Sequence, residues 1–270
     1  MLLEKVFPLK SNSYLKQKDT FIKVGSKFDK LGLIQLFILW TLTVAGIVLD
    51  MGLVNRSVYW EWDNWVIGLS KLFLVTLVFM SYLRPKRIWD IDVKRLSRSS
   101  LINHLIIAFI CLLFGSFGDS FSIDTLLYLF PYLLSFFSGL LIFQFQIEFN
   151  PEKKTWSIIN WGNKVPLLTV SFLSMLISVI IGIYLDDPIL STSAMVSVCF
   201  PLIALIWPNH VRHLQRARFY PLFIFAMFLS VRAPWFLFPL IILFFLFRVI
   251  NYFRLGIAHP SFGVDFTDDN

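Results

Sequence analysis

Two aspartates and six basic residues stand close together in the segment "YLRPKRIWDIDVKRLSRSS", Tyr82–Ser100. Asp90 and Asp92 are two residues apart, a spacing that puts both carboxylates on one face of an extended chain but about 200° apart around a helix. Carboxylates that converge bind magnesium, and the bound ion then holds substrate phosphates beside Lys and Arg side chains. The segment therefore offers Asp90 and Asp92 as candidate catalytic residues.

A second basic segment, "PNHVRHLQRARFY", covers Pro208–Tyr220. We predict that cations of the two segments bind an anionic headgroup: Arg84, Lys86, Arg87, Arg212, Arg216 and Arg218. The alternative is topological, because cytoplasmic loops of membrane proteins collect Lys and Arg whatever their function. His210 and His213 share a helical face, but no further ligand follows nearby, so the sequence predicts no metal site.

Ionisable residues inside apolar segments are costly and are usually paired or functional. Asp50 and Lys71 lie near the same ends of the first two apolar runs, which favours an ion pair between them. Extension of Lys71 to the interface and a role in transport or proton transfer are the alternatives. His104 and Glu148 lie at the opposite ends of later runs, where they could join Asp90 and Asp92 in one polar pocket. Ordinary interfacial polarity would explain them equally.

The apolar runs that must position these residues make up most of the chain. Of 270 residues, 57% are hydrophobic, and they cluster in blocks of roughly 15–24 residues, the length of a helix that crosses a bilayer. The blocks do not alternate apolar and polar residues as barrel strands do. We predict an all-α polytopic membrane bundle of about eight spans, with six to nine possible: 32–54, 65–83, 102–118, 125–147, 166–185, 189–207, 218–231 and 233–253.

Basic residues set the orientation of this bundle. With eight spans, 21 of the 24 Lys and Arg residues fall on one side and two on the other, which predicts cytoplasmic N- and C-termini. The chain then divides into a cytoplasmic or interfacial segment (1–31), a transmembrane domain (32–254) and a polar tail (255–270). No cleavable signal peptide is recognisable. The segment 155–164 is predicted to form a small hairpin or a surface helix.

This arrangement, with charged loops after the second and sixth spans, resembles the intramembrane prenyltransferases of the UbiA superfamily. That family has an N-D-x-x-D-x-x-x-D motif in the first loop and a D-x-x-x-D motif in the second. Here the first position reads "IWDIDVKR", with two acids at altered spacing, and the second reads "PNHVRHLQRARFY", with none. The resemblance implies a prenyl diphosphate substrate and Mg²⁺ as cofactor. The missing acids leave the basic headgroup site as the part that the chain retains.

Three functions follow as hypotheses. The first is a membrane protein that handles a lipid or isoprenoid, related to a prenyltransferase. The second is a non-catalytic transmembrane subunit of a larger membrane complex, and the third is a small-solute transporter. The expected partners are membrane lipids and other membrane subunits, not nucleic acid, and the expected location is a bacterial cytoplasmic membrane.

Overall fold

The computed structural model describes residues 2–91, 95–118, 122–150, 155–159 and 161–256. Asp92 lies outside the described residues. The helices are α1 (Leu2–Val6), α2 (Asn12–Leu31), α3 (Leu33–Val54), α4 (Trp65–Val78), α5 (Arg98–Ser116), α6 (Thr125–Phe143), α7 (Val165–Tyr184), α8 (Pro188–Ile206), α9 (Val211–Arg232) and α10 (Leu237–Leu255). A π-helical turn (Phe79–Leu83) extends α4, and a 3₁₀ turn (Pro234–Phe236) precedes α10.

Within the described ranges, seven helices are long and apolar enough to cross a membrane. They confirm the predicted all-α polytopic fold. An eighth helix, α9, has 22 residues, which extend about 33 Å at 1.5 Å per residue. Its first turns carry Arg212, Arg216 and Arg218, which the sequence had assigned to a loop. The helix begins at Val211 because Leu, Gln, Arg and Ala all favour helix.

One end of the bundle, the outer face, gathers the loops that carry few basic residues. The backbone N–H of Trp60 donates to the Val231 carbonyl at 2.8 Å, which joins the α3–α4 loop to the end of α9. The Arg232 guanidinium donates through Nη2 to the Arg56 carbonyl at 3.0 Å. These contacts place the C-terminal end of α9 beside the C-terminal end of α3.

The opposite end, the inner face, contains both ends of the described chain. Helix α2 packs against the last turns of α10, where the Tyr14 hydroxyl donates to the Phe253 carbonyl at 3.0 Å. Arg254 forms an ion pair with Asp29 at 2.7 Å. The N- and C-terminal helices therefore lie on the same face, as the charge distribution predicted.

Close helix contacts hold the bundle together. A Cβ atom on Gly115 of α5 would lie 2.0 Å from the Thr43 carbonyl oxygen of α3, so only glycine permits this approach. Helices α6 and α7 are joined by hydroxyls, with Ser135 and Ser178 oxygens 2.6 Å apart. Small residues and serine hydroxyls are the usual means of helix association in a membrane, where lipid and protein are equally apolar.

A β-hairpin connects α6 to α7 on the inner face. Strands β1 (Gln146–Asn150) and β2 (Thr155–Ile159) pair antiparallel, with Gln146 opposite Ile159 and Glu148 opposite Ser157. The hairpin was one of two structures predicted for this region, and it is confirmed. Helix α6 ends at Phe143, earlier than predicted, because the chain turns there into β1.

Candidate functional site

The inner loop, residues 84–97, inserts into the inner face of the bundle instead of lying on its surface. The Trp89 indole is fully buried and donates through Nε1 to the Gln35 carbonyl at 3.0 Å. The Leu96 N–H donates to Gln144 Oε1 at 2.6 Å. Apolar side chains at both ends of the loop, Trp89, Ile91 and Leu96, are buried and anchor it.

This loop brings Asp90 and His104 together, two of the residues that the sequence predicted to share a pocket. Asp90 is 5% exposed, and its backbone N–H donates to His104 Nε2 at 3.1 Å. Because Nε2 accepts, the ring proton lies on Nδ1, which is 2.6 Å from the Ser100 carbonyl. For Glu148 the structure describes only the backbone pairing with Ser157. His104 thus fixes the inner loop at Asp90.

The basic residues of the inner loop have different surroundings. Arg84 donates to Gln35 Oε1 at 2.7 Å and to the carbonyls of Asp29 and Lys30 at the end of α2. Lys86 is exposed and lies 3.9 Å from the centre of the Tyr82 ring, and Arg87 is exposed. Arg84 therefore joins α2 to α3, whereas the other two cations face outward.

An apolar cavity of about 80 Å³ lies behind the inner loop. Its wall includes Ile91 from the loop, and side chains of six helices complete it: Ile38, Leu42, Leu112, Phe136, Leu140, Met175 and Phe225, among others. Pro221, a proline inside α9, also lines the cavity. The cavity has the composition expected for hydrocarbon, and the inner loop closes one side of it.

Two polar groups line this otherwise apolar cavity from neighbouring helices. Arg218 of α9 is 6% exposed; its Nη1 donates to Gln215 Oε1 at 3.0 Å and its guanidinium carbon lies 5.3 Å from the Phe143 ring centre. Ser197 of α8 is buried, and its hydroxyl has no hydrogen-bond partner in the described part of the chain. Buried hydroxyls are normally satisfied, so this position suits a ligand with a polar end.

Arg218 was among the predicted headgroup residues, whereas Ser197 and Gly139 were missed. Gly139 also lines the cavity, and a Cβ atom added there would meet nothing within 4 Å. No local pattern separates this serine or this glycine from the other small residues of the spans. Arg212 and Arg216 lie nearer the start of α9 and are half-buried.

The residues present do not fit a magnesium diphosphate site. Among the described residues, no group of three or more His, Cys, Asp or Glu side chains is arranged to hold a metal ion. His210 and His213 do lie together, with ring centres 4.3 Å apart, but two ligands fall short of a closed site. We derive no catalytic step through a metal.

Asp50 and Lys71 both reach the C-terminal end of α5. The Lys71 ammonium donates to the carbonyls of Gly115 at 2.8 Å and Phe117 at 3.0 Å. The Asp50 carboxylate lies against Gly118, close enough to Lys71 for electrostatic attraction. The cation therefore binds the exposed carbonyls at a helix end, where the helix dipole favours positive charge. This arrangement stabilises the α3–α4–α5 contact.

Comparison of the chain with protein-family models, with curated proteins and with solved structures finds no match in any of the three. The class of protein is therefore defined by its own fold. It is a multi-pass helical membrane protein, with a buried arginine beside an apolar cavity on its inner side.

Proposed function

We propose that this protein handles a membrane lipid or isoprenoid, whose chain enters the apolar cavity and whose polar head lies beside Arg218 and Ser197. The observation that carries the proposal is the pairing of a buried guanidinium with a hydroxyl that has no partner among the described residues, both on an otherwise apolar wall. An amphiphile with an anionic or hydroxylated head matches both parts. A purely apolar ligand or a hydrophilic solute would match only one.

The size of the cavity limits how the ligand enters. A volume of about 80 Å³ holds a short hydrocarbon segment; an engineered cavity of ~150 Å³ is needed for benzene in a soluble protein. A longer chain must therefore displace part of the wall. Ile91 is the wall residue that belongs to a loop and not to a membrane helix, so the inner loop is the part of the wall that we expect to move.

Filling the cavity tests the proposal. Gly139→Leu adds a side chain where the added Cβ meets nothing within 4 Å, so it occupies the cavity without a clash. We expect the purified variant to bind farnesyl diphosphate and phosphatidylglycerol at least tenfold more weakly than the wild type, measured by native mass spectrometry. Gly162→Leu is the matched control, since its added Cβ also meets open space and it does not line the cavity.

The headgroup is tested separately. Arg218→Gln removes the charge next to Gln215 and is expected to weaken both of these anionic probes while leaving uncharged farnesol unaffected. If Gly139→Leu and Arg218→Gln bind all three probes like the wild type, the lipid-handling proposal is wrong. Co-purification of partner spans would then favour the alternative of a subunit of a larger complex.

Transfer of a prenyl group is the finer proposal, and it rests on the resemblance of the two loops to the UbiA superfamily. Asp90→Asn combined with Asp92→Asn removes both acids of the first loop with little change in size. Loss of prenyl transfer with intact farnesyl diphosphate binding would support an enzyme. Transfer that continues undiminished would exclude a catalytic role for these carboxylates.

A further inference from the structure

A polar pocket of about 400 Å³ opens on the outer face, at the opposite end of the bundle from the apolar cavity. The ends of α3, α6, α8 and α9 surround it. It is lined by aliphatic residues on one side and by polar residues on the other: Val48, Leu49, Gly52, Leu53, Val54, Arg56, Tyr128, Leu185, Asp186, Asp187, Pro188 and Arg232. We call it the outer pocket.

The acidic groups of the outer pocket are already engaged within the protein. Asp186 forms an ion pair with Arg56, and this hydrogen bond raises the pKa of the Arg56 guanidinium above its ordinary value. Asp187 accepts from the Tyr132 hydroxyl at 2.6 Å through Oδ2. Its Oδ1 accepts from the N–H groups of Ile189 and Leu190 and so caps α8. Neither acid is left to neutralise Arg232.

Arg232 is the buried cation of the outer pocket. Its side chain is 3% exposed and remains charged, because an arginine does not lose its proton in proteins. Among the described residues it makes one hydrogen bond, from Nη2 to the Arg56 carbonyl, and lies 5.1 Å from the Tyr59 ring centre. Its Nε is buried and has no partner there. Most donors of this guanidinium are therefore available to a ligand.

The neighbouring helix makes room for this guanidinium. A Cβ atom on Gly52 would lie 1.9 Å from Arg232 Nη1, so any larger residue at position 52 would displace the cation. The fork of N–H donors then faces a pocket large enough for a small anion. A guanidinium binds carboxylate and phosphate oxygens through two parallel hydrogen bonds.

We infer that the outer pocket binds one phosphate or carboxylate group through Arg232. The group is supplied either by a solute from the outer solution or by the head of an outer-leaflet phospholipid, since the aliphatic wall of Leu49, Leu53 and Val54 would also accept the start of an acyl chain. This site lies on the face opposite to Arg218 and is independent of the proposed lipid-handling cavity.

Binding to the purified full-length protein tests the inference and separates the two sources. We expect the protein to bind either ³²P-labelled inorganic phosphate or acetate at one equivalent, or phosphatidylglycerol in nanodiscs in preference to phosphatidylcholine, and raised salt should weaken either interaction. Saturation by phosphate or acetate alone identifies a solute site. Retention of phosphatidylglycerol without solute binding identifies a lipid headgroup site. Failure of all three probes overturns the inference.

Three variants locate the site. Arg232→Lys keeps the charge but loses the planar fork, and Gly52→Ala displaces the guanidinium while leaving it in place chemically. Both are expected to weaken binding at least tenfold. Arg254→Gln, which removes an arginine of the inner face, is the matched control and should bind like the wild type. Unchanged binding in both Arg232→Lys and Gly52→Ala would show that the anion binds elsewhere.

Discussion

Three arginines that count equally in the net charge have different surroundings. Arg84 donates to carbonyls at the end of α2, Arg218 lines an apolar cavity and Arg232 lies under the outer pocket. The first satisfies the carbonyls that every helix leaves unpaired at its C-terminus. The other two are buried charges, which are costly unless a partner or ligand compensates for them. Burial, not residue type, therefore separates a structural arginine from a candidate binding residue.

At the same scale, we expect Gly115→Ala to destabilise the bundle. The added Cβ would lie 2.0 Å from a carbonyl oxygen of α3, and backbone cannot move aside as a flexible side chain does. Overpacking of this kind costs about 1–3 kcal/mol. Thermal unfolding in detergent measures the loss, and Gly139→Ala, where the Cβ meets open space, is the control. Equal unfolding temperatures for the two variants would contradict the close α3–α5 contact.

Tyr14 should make the docking of α2 sensitive to alkaline pH. Burial, and secondarily the nearby Tyr252, raise the pKa of Tyr14 above its ordinary value. A folded-state pKa above the unfolded one contributes stability below pH ~10 that is lost as the pH rises through the folded-state pKa. The physical reason is that a phenolate cannot donate to the Phe253 carbonyl.

The mobility of a spin label at Lys23→Cys measures this docking, in a background without the native cysteines. With Tyr14 present, we expect the label to become mobile above pH ~10. Tyr14→Phe keeps the ring contacts but has no proton to lose, so its docking should not show this transition. An identical transition in both proteins would assign the effect to another group.

At the scale of elements, the inner loop and α9 illustrate how charged segments become structured. The loop carries six basic residues, yet its apolar residues Trp89, Ile91 and Leu96 are buried and determine its path. Helix α9 continues through a basic segment because arginine side chains are good helix formers with long apolar stems. Hydropathy alone therefore places the start of this helix too late.

Arg84→Ala is expected to loosen α2 from the bundle. The variant removes hydrogen bonds from a charged donor, each of which is worth about 1.5–3 kcal/mol, so local opening of α2 should become at least about tenfold more frequent. Limited trypsin digestion at the lysines of α2 measures this opening. Arg87→Ala removes an exposed arginine from the same loop and should leave the cleavage rate unchanged. Equal rates in the two variants would show that the Arg84 contacts do not hold α2.

At the scale of the whole molecule, the bundle has two chemically different ends. The inner end carries most of the basic residues and both terminal helices, whereas the outer end carries a polar pocket of about 400 Å³. The apolar cavity lies next to the inner loop. The two candidate sites therefore face opposite sides of the membrane and do not share a wall residue.

Cysteine labelling in intact cells tests this orientation. In a background with Cys111→Ala and Cys199→Ala, we expect Trp62→Cys to react with a membrane-impermeant maleimide from outside. Lys18→Cys in α2 should react only after the membrane is permeabilised, because the positive-inside rule places that end in the cytoplasm. Reaction of Lys18→Cys in intact cells would reverse the orientation and exchange the sides assigned to both sites.

The sequence by itself determined the helical membrane architecture, the approximate spans and the face shared by both termini. These properties depend on the length of apolar runs and the distribution of Lys and Arg, which are sums over local residues. It also brought Asp90 near His104, since both stand at the inner end of neighbouring elements.

Only the tertiary structure decided which polar groups became buried binding candidates. Arg218, Ser197 and Gly139 come from three different helices, and they share a cavity because those helices cross at one depth. Arg232 was counted only as an outer cation until packing against Gly52 buried it. A cavity is the space that packing leaves unfilled, so no residue pattern along a single helix contains it.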